Sequence, residues 1–159
     1  MTVSVQEADF DSGAEIAALS AGREDVGAVA SFVGLVRADK GAGAGVGAGE
    51  AAVRAMTLEH YPGMTEKALQ AIVEEAHGRW DFFDARVIHR VGRLLPGERI
   101  VFVAVASSHR GEAFAACEFI MDYLKTRAPF WKKEETPRGG HWVDARESDD
   151  HAAGRWERE

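Results

Sequence analysis

Seven consecutive residues, Ile100–Ala106 (IVFVAVA), form the most apolar run of the chain. They are rich in β-branched side chains and carry apolar groups at both odd and even positions, so neither side of a strand built from them could face water. The fold has to cover this segment on both faces. The run leads straight into Ser107–Lys133 (SSHRGEAFAACEFIMDYLKTRAPFWKK). Ser107 or Ser108 can cap a helix there, and Phe114, Cys117, Ile120, Met121 and Leu124 recur at helical spacing, which commits one face to a core. Pro129 disfavours helical geometry at Ala128 and ends the element nearby.

Outside that apolar stripe the segment is cationic. His109 and Arg110 stand at the predicted helix start, Lys125 and Arg127 in its last turn, and Lys132 and Lys133 just after the proline. Because the chain must turn beside its own helix end, Lys125 and Lys132 are expected to converge. The formal net charge is −7, so a local surplus of cations points to an anionic ligand. The plainer account is that Lys and Arg near a helix C-terminus complement its dipole and solvate the surface. Arg offers a planar fork for phosphate, whereas a Lys crowded by other cations can lose its proton and act as a base or nucleophile.

At 159 residues, 46% of them hydrophobic, the chain holds enough apolar material for one globular domain spanning residues 1–159. The acidic balance argues against general nucleic-acid binding. Cys117 is the single cysteine, which excludes an internal disulfide and a cysteine-based zinc site and fits a reducing compartment. Lying among the apolar positions of its helix, it reads as a small buried hydrophobe. The six histidines never fall three or four residues apart, so neither a metal site nor a cofactor is expected. Ser107 and Ser108 adjoin His109 without a nucleophile-elbow pattern. Met1–Phe10 lacks the basic start and apolar core of a signal peptide, and no apolar run approaches the ~18 residues that span a bilayer, so a cytoplasmic location is expected.

Taken in order, Thr2–Val5 suits a short strand, and Asp11 or Ser12 can cap a helix bearing Ile16, Ala17 and Leu19 that Gly22 ends. Val26–Arg37 reads as a mostly buried strand with Arg37 where it leaves the core. Gly41–Gly49 alternates glycine with small residues but fits no phosphate-loop motif, and is expected to be a flexible connection. Ala52–Tyr61 alternates as a strand, and a helix with an apolar stripe from Met64 to Trp80 follows Pro62. His60 at that junction is either catalytic or bonded to the adjacent turn. Ala85–Val91 and Ile100–Ala106 are predicted hairpin partners around a type II turn, Leu95-Pro96-Gly97-Glu98. After a loop at 136–140 come a short strand, His141–Ala145, and a polar tail that includes residues 150–159. This order predicts an α+β class, with helices packed on a largely antiparallel sheet.

Five segments carry a resemblance: Leu58–Leu69 (LEHYPGMTEKAL), Val87–Glu98 (VIHRVGRLLPGE), Ser107–Arg110 (SSHR), Phe119–Glu134 (FIMDYLKTRAPFWKKE) and Trp142–Asp149 (WVDARESD). Together they resemble, in the same order, the large catalytic subunit of molybdopterin synthase, over most of the chain from about Val26 to Trp156. The likeness weakens at 41–49, where that family's loop is usually shorter and more polar. It implies an α/β hammerhead fold and a sulfur transferase. The substrate would be a cyclic pyranopterin monophosphate, and the sulfur would come from the thiocarboxylated Gly-Gly tail of a small ubiquitin-like carrier inserted in the active site. A homodimer flanked by two carriers, a heterotetramer, is implied as well. Carried over residue by residue, Lys125 and Lys132 would be catalytic. Leu35, Val36, Arg37, His109, Arg110, Lys133, Glu134 and Arg146 would bind substrate, with Arg146 reaching across the dimer interface. The rival class is a cytosolic adaptor that holds a ubiquitin-like tail without chemistry. Such a module needs neither Lys125 nor Lys132.

Overall fold

The computed structural model describes residues 2–38, 53–137, 139–143 and 147–157. The glycine-rich stretch 41–49 and Arg146 therefore lie outside the described residues. The elements are Val3–Gln6 (β1), Ser12–Ser20 (α1), Ala28–Leu35 (β2), Ala55–His60 (β3), Met64–Arg79 (α2), Asp84–Arg90 (β4), Gly92–Leu94 (β5), Arg99–Ser107 (β6), Arg110–Arg127 (α3), Phe130–Thr136 (β7), Gly139–Val143 (β8) and Glu147–Gly154 (α4), with a 3-10 turn at Arg155–Glu157. The strands form two four-stranded sheets, ordered β1-β4-β6-β2 and β5-β3-β7-β8. Among the described residues only the β1–β4 pair is parallel. The α+β class read from the sequence is the one observed.

The apolar run sits in the interior of the first sheet, and its two parities serve two cores. Val101, Val103 and Val105 join the larger core with Leu69, Ile72 and Val73 of α2 and Ala116, Ile120 and Leu124 of α3. Phe102, Ala104 and Ala106 face the opposite way, into a second cluster with Phe10, Leu19 and Ile88. Each fully buried Val, Ile or Phe contributes about 1.5–3 kcal/mol. Burying both faces of one strand thus fixes β6 as the element on which the rest is assembled.

The hairpin forms around the expected turn. Gly97 has φ 91°, the Glu98 amide donates to the Leu95 carbonyl at 3.0 Å, and β4 pairs β6 from Asp84↔Ala106 to His89↔Val101. One feature was not expected: between β4 and the turn, Gly92 at φ 90° directs the chain out of the first sheet, and Gly92–Leu94 becomes the edge of the second.

Four sequence expectations need correction. The strand read as mostly buried, Val26–Arg37, is the edge strand β2, in which only Ala30 is buried and Phe32 is 43% exposed. Neither Ser107 nor Ser108 caps α3. The cap residue is His109, without a side-chain cap bond. Ser107 is instead the buried last residue of β6, where its hydroxyl donates to the Asp81 carbonyl at 3.2 Å and accepts from the His109 amide at 3.4 Å. Phe114 is 64% exposed, not part of the core. The buried face of α3 is Ala113, Ala116, Cys117, Phe119, Ile120, Met121, Tyr123 and Leu124, whose small members let the helix approach β6 until Cys117 Sγ lies 3.8 Å from the Val103 carbonyl oxygen. The stretch read as a polar tail folds back as α4. Ala153 is buried, and Trp156 meets Trp80 and Phe119 edge-on, with ring centres at 5.3 and 5.7 Å. Its indole Nε1 donates to Asp122 Oδ2 at 2.6 Å. Two anchoring residues are too few to show as periodicity.

Candidate active site

The corner after α3 decides where the cations go. Ala128 is extended (φ −84°, ψ 132°) ahead of Pro129, so the helix stops with Lys125 exposed in its last turn. Thr65, fully buried at the start of α2, ties this corner down. Its hydroxyl donates to the Pro129 carbonyl and accepts from the Tyr61 amide, each at 3.0 Å. From Phe130 the chain runs along β3, with Phe130 opposite His60, Lys132 opposite Leu58 and Glu134 opposite Met56. Strand alternation puts Phe130, Lys132 and Glu134 on the face shared with buried Met56 and Leu58, and Trp131, Lys133 and Glu135 on the other.

The charges of Lys125 and Lys132 both act on a residue that the sequence analysis passed over, His89. It is 3% exposed, stacked on Phe130 with ring centres 4.0 Å apart and planes at 24°. Its Nδ1 lies 2.8 Å from the Arg90 carbonyl oxygen. A carbonyl only accepts, so Nδ1 carries the proton and Nε2 the lone pair. Burial is the main force driving the pKa of this imidazole down to about 3, and the charges of Lys125, Lys132 and His60 push the same way, against the opposing pull of the Arg90 carbonyl. The ring is therefore neutral, with the charges of one lysine from α3 and one from β7 acting on it. His60 is placed beside Glu66, Nε2 to Oε2 3.8 Å, which favours the turn-bonding reading of that residue.

The remaining candidates are distributed over two further places. β2 ends in a bulge at Gly34/Leu35, after which the Val36 amide donates to the Glu98 carbonyl (3.0 Å) and its carbonyl accepts from Gly97 (2.8 Å). This buries Val36 and leaves Leu35, 54% exposed, and Arg37 facing outward. Backbone bonds from Val53 to Ala38 and from Arg54 to Glu135, both 2.7 Å, carry this strand end to the far end of β7. Lys133 is exposed, its Nζ 5.9 Å from the Trp142 ring centre, and Glu134 is buried on the lysine face. His109 and Arg110 are exposed at the opposite end of α3 from Lys125. Fifteen residues of helix put Arg110 about 22 Å from Lys125 along the axis. Within one chain, then, the charges of Lys125 and Lys132 act on the same ring, while His109 and Arg110 stand at the other end of α3.

Among the described residues no three His, Cys, Asp or Glu side chains cluster to hold a metal ion. Burial, aided by Glu118, pushes the Cys117 thiol up to about 11, so it stays protonated at neutral pH. Arg90, also buried, is a structural cation whose guanidinium donates to the carbonyls of Glu7 and Arg99. No helix among the described residues is long and apolar enough to cross a membrane. His89 had a legible signal in the alternation Val87, His89, Val91, which places it on an inward face; Thr65 had none, because its acceptor lies 64 residues away.

Comparison with known proteins finds relatives over nearly the whole chain. A profile of the MoaE protein family matches residues 5–127. The chain is 66% identical over 155 residues to the molybdopterin synthase catalytic subunit of Ralstonia nicotianae, covering 98% of this chain and 84% of that one. Among solved structures, the molybdopterin biosynthesis MoaE protein of Burkholderia ambifaria superposes with a TM-score of 0.81 at 56% identity, over 99% of both chains. Molybdopterin synthase of Staphylococcus aureus superposes with a TM-score of 0.76 at 28% identity, over 88% of this chain and 95% of that one. Matched by the profile over most of its length and by a relative over nearly all of it, the chain belongs to the MoaE family, that of the molybdopterin synthase catalytic subunit.

Proposed function

We propose that this catalytic subunit inserts sulfur into a cyclic pyranopterin monophosphate, drawing it from the C-terminal glycine thiocarboxylate of a small ubiquitin-like carrier. In each transfer the thiocarboxylate sulfur forms a carbon–sulfur bond on the pterin side chain while a carbon–oxygen bond there breaks, and water then attacks the carrier's acyl carbon, cleaving its bond to sulfur and releasing the carrier as a carboxylate; two such transfers make the dithiolene. Membership of the family carries this reading, and the charges of Lys125 and Lys132 acting on the buried His89 beside the Pro129 corner support it. One ammonium can hold the anionic group while the other exchanges a proton at the reacting atoms. An adaptor that merely held a ubiquitin-like tail would need neither.

Completing the pocket calls for a second copy. Because His109 and Arg110 lie at the far end of the same helix from Lys125, a site using all of them takes the lysines from one protomer and the helix-start cations, with Arg146, from its partner. The name of the Ralstonia relative, a catalytic subunit, fits an assembly of this kind. A homodimer carrying two carriers, working in the cytoplasm, is the arrangement proposed.

Lys125→Ala and Lys132→Ala, purified and folded, should each lose ~10²–10⁴-fold in sulfur transfer with thiocarboxylated carrier and pterin precursor. Near-full activity in either variant removes that lysine from the mechanism. Mixing Lys125→Ala with Arg110→Ala under subunit exchange should restore part of the activity, and verified mixed dimers that stay inactive would place Arg110 outside its partner's site.

A further inference from the structure

The His89–Phe130 stack lies where the lysine-bearing corner meets the first sheet. Phe130 is the first residue of β7 and precedes Lys132 by two, on the same face of the strand. His89 is held from its own side by the bond from Nδ1 to the Arg90 carbonyl and by pairing of β4 with Val101 of β6. We propose that His89 is the positioning residue of the lysine pair: by stacking on Phe130 it fixes the start of β7, and so sets the offset of Lys132 from Lys125.

The inference rests on the reading of Lys125 and Lys132 as the working pair, and adds to it the group that spaces them. The ring suits the task because it is flat, buried and uncharged. The ionisable groups facing it are Lys125 from α3, Lys132 from β7 and His60 from the end of β3. A cationic ring among those three would push them apart, whereas a neutral one lets the strand close against it. Its lone pair at Nε2 remains an acceptor, which a purely apolar spacer would lack.

The test uses the full chain without carrier or pterin. Competitive acylation followed by peptide mass analysis reports the titration midpoint of each lysine. In His89→Ala the midpoints of Lys125 and Lys132 should move by at least about half a pH unit, a threefold change in protonation ratio, while that of Lys67 stays in place. With carrier and pterin, kcat should fall at least about tenfold with a smaller change in KM. His89→Phe, which keeps a ring on Phe130, should recover most of both. If His89→Ala does not fold, Phe130→Leu removes the same stack from the other side and should give the same lysine shifts. Folded His89→Ala or Phe130→Leu with unmoved midpoints overturns the proposal, as does His89→Phe matching His89→Ala in both readouts. If the midpoints shift while Lys125→Ala and Lys132→Ala retain activity, the spacing role stands and the assignment of the lysines to sulfur transfer falls.

Discussion

Acidification should weaken this protein through His89. In the unfolded chain the imidazole has its ordinary value of 6.5, while in the folded chain burial and the neighbouring cations hold it at about 3. Between those values the unfolded state binds a proton that the folded state refuses. The stability contributed by keeping His89 neutral is complete above pH 6.5 and is lost as the pH falls toward 3. The slope is about 1.4 kcal/mol per pH unit, or roughly 2.5 kcal/mol between about pH 7.5 and about pH 4.5. That is a large share of the 5–15 kcal/mol typical of a domain. Asp9 is the other strongly shifted acid-range group, held at about 2 chiefly by its hydrogen bond from Arg99, so its contribution is lost only below its usual 3.8. The two windows barely overlap. Urea unfolding of the parent and His89→Phe at one protein concentration reads the effect directly. Phe does not titrate, so the stability gap between the two should narrow by roughly 2.5 kcal/mol from about pH 7.5 to about pH 4.5. Parallel pH profiles over that range would refute the claim that the fold keeps His89 uncharged.

Thr65→Val keeps the shape of the side chain but strips the Pro129 carbonyl and the Tyr61 amide of their partner; it should cost ~1–3 kcal/mol and lower kcat more than it alters KM, as thermal melts and steady-state kinetics would show. Unchanged turnover would mean that this bond does not set the corner between the lysines. Phe114→Ala should change stability by no more than ~0.5 kcal/mol, whereas Phe119→Ala should cost ~3–5 kcal/mol. Comparable costs in denaturant unfolding would contradict the orientation found for α3.

What could be read from the sequence followed from strong local rules. The composition of Ile100–Ala106 demanded two covered faces, and the structure supplies two distinct cores for its two parities. Pro96-Gly97 dictated a turn, and Pro129 dictated the helix stop that lets Lys125 and Lys132 approach. The failures came where local chemistry was outweighed by tertiary contacts. Phe114 matched the helical stripe, yet Phe119 and Tyr123 took the buried positions because Trp80 and Trp156 close over that side of the helix. Ser107 had the chemistry of a cap, but β6 continued through it and Asp81 claimed its hydroxyl. His89 was one histidine among six until Phe130, 41 residues later, was laid against it.

The location of the lysine pair follows from how the chain changes sheets. After β4 it leaves the first sheet at Gly92, whose φ of 90° favours glycine, and enters the second as β5. After α3, which packs on the first sheet, it leaves again at Ala128-Pro129 and enters the second as β7. His89 is the penultimate residue of β4, Phe130 the first of β7, and the two are in ring contact. Lys125 belongs to a helix anchored on one sheet and Lys132 to a strand of the other, so their separation is set by how the sheets are joined. A side chain added at Gly92 would be strained by the positive φ and would press on Glu7, its Cβ only 3.2 Å from Oε1. Strain at that crossing would be transmitted through β4 to His89 and from there to β7. Gly92 and Phe130, which carry no polar side-chain group, can in this way govern the spacing of the two lysines.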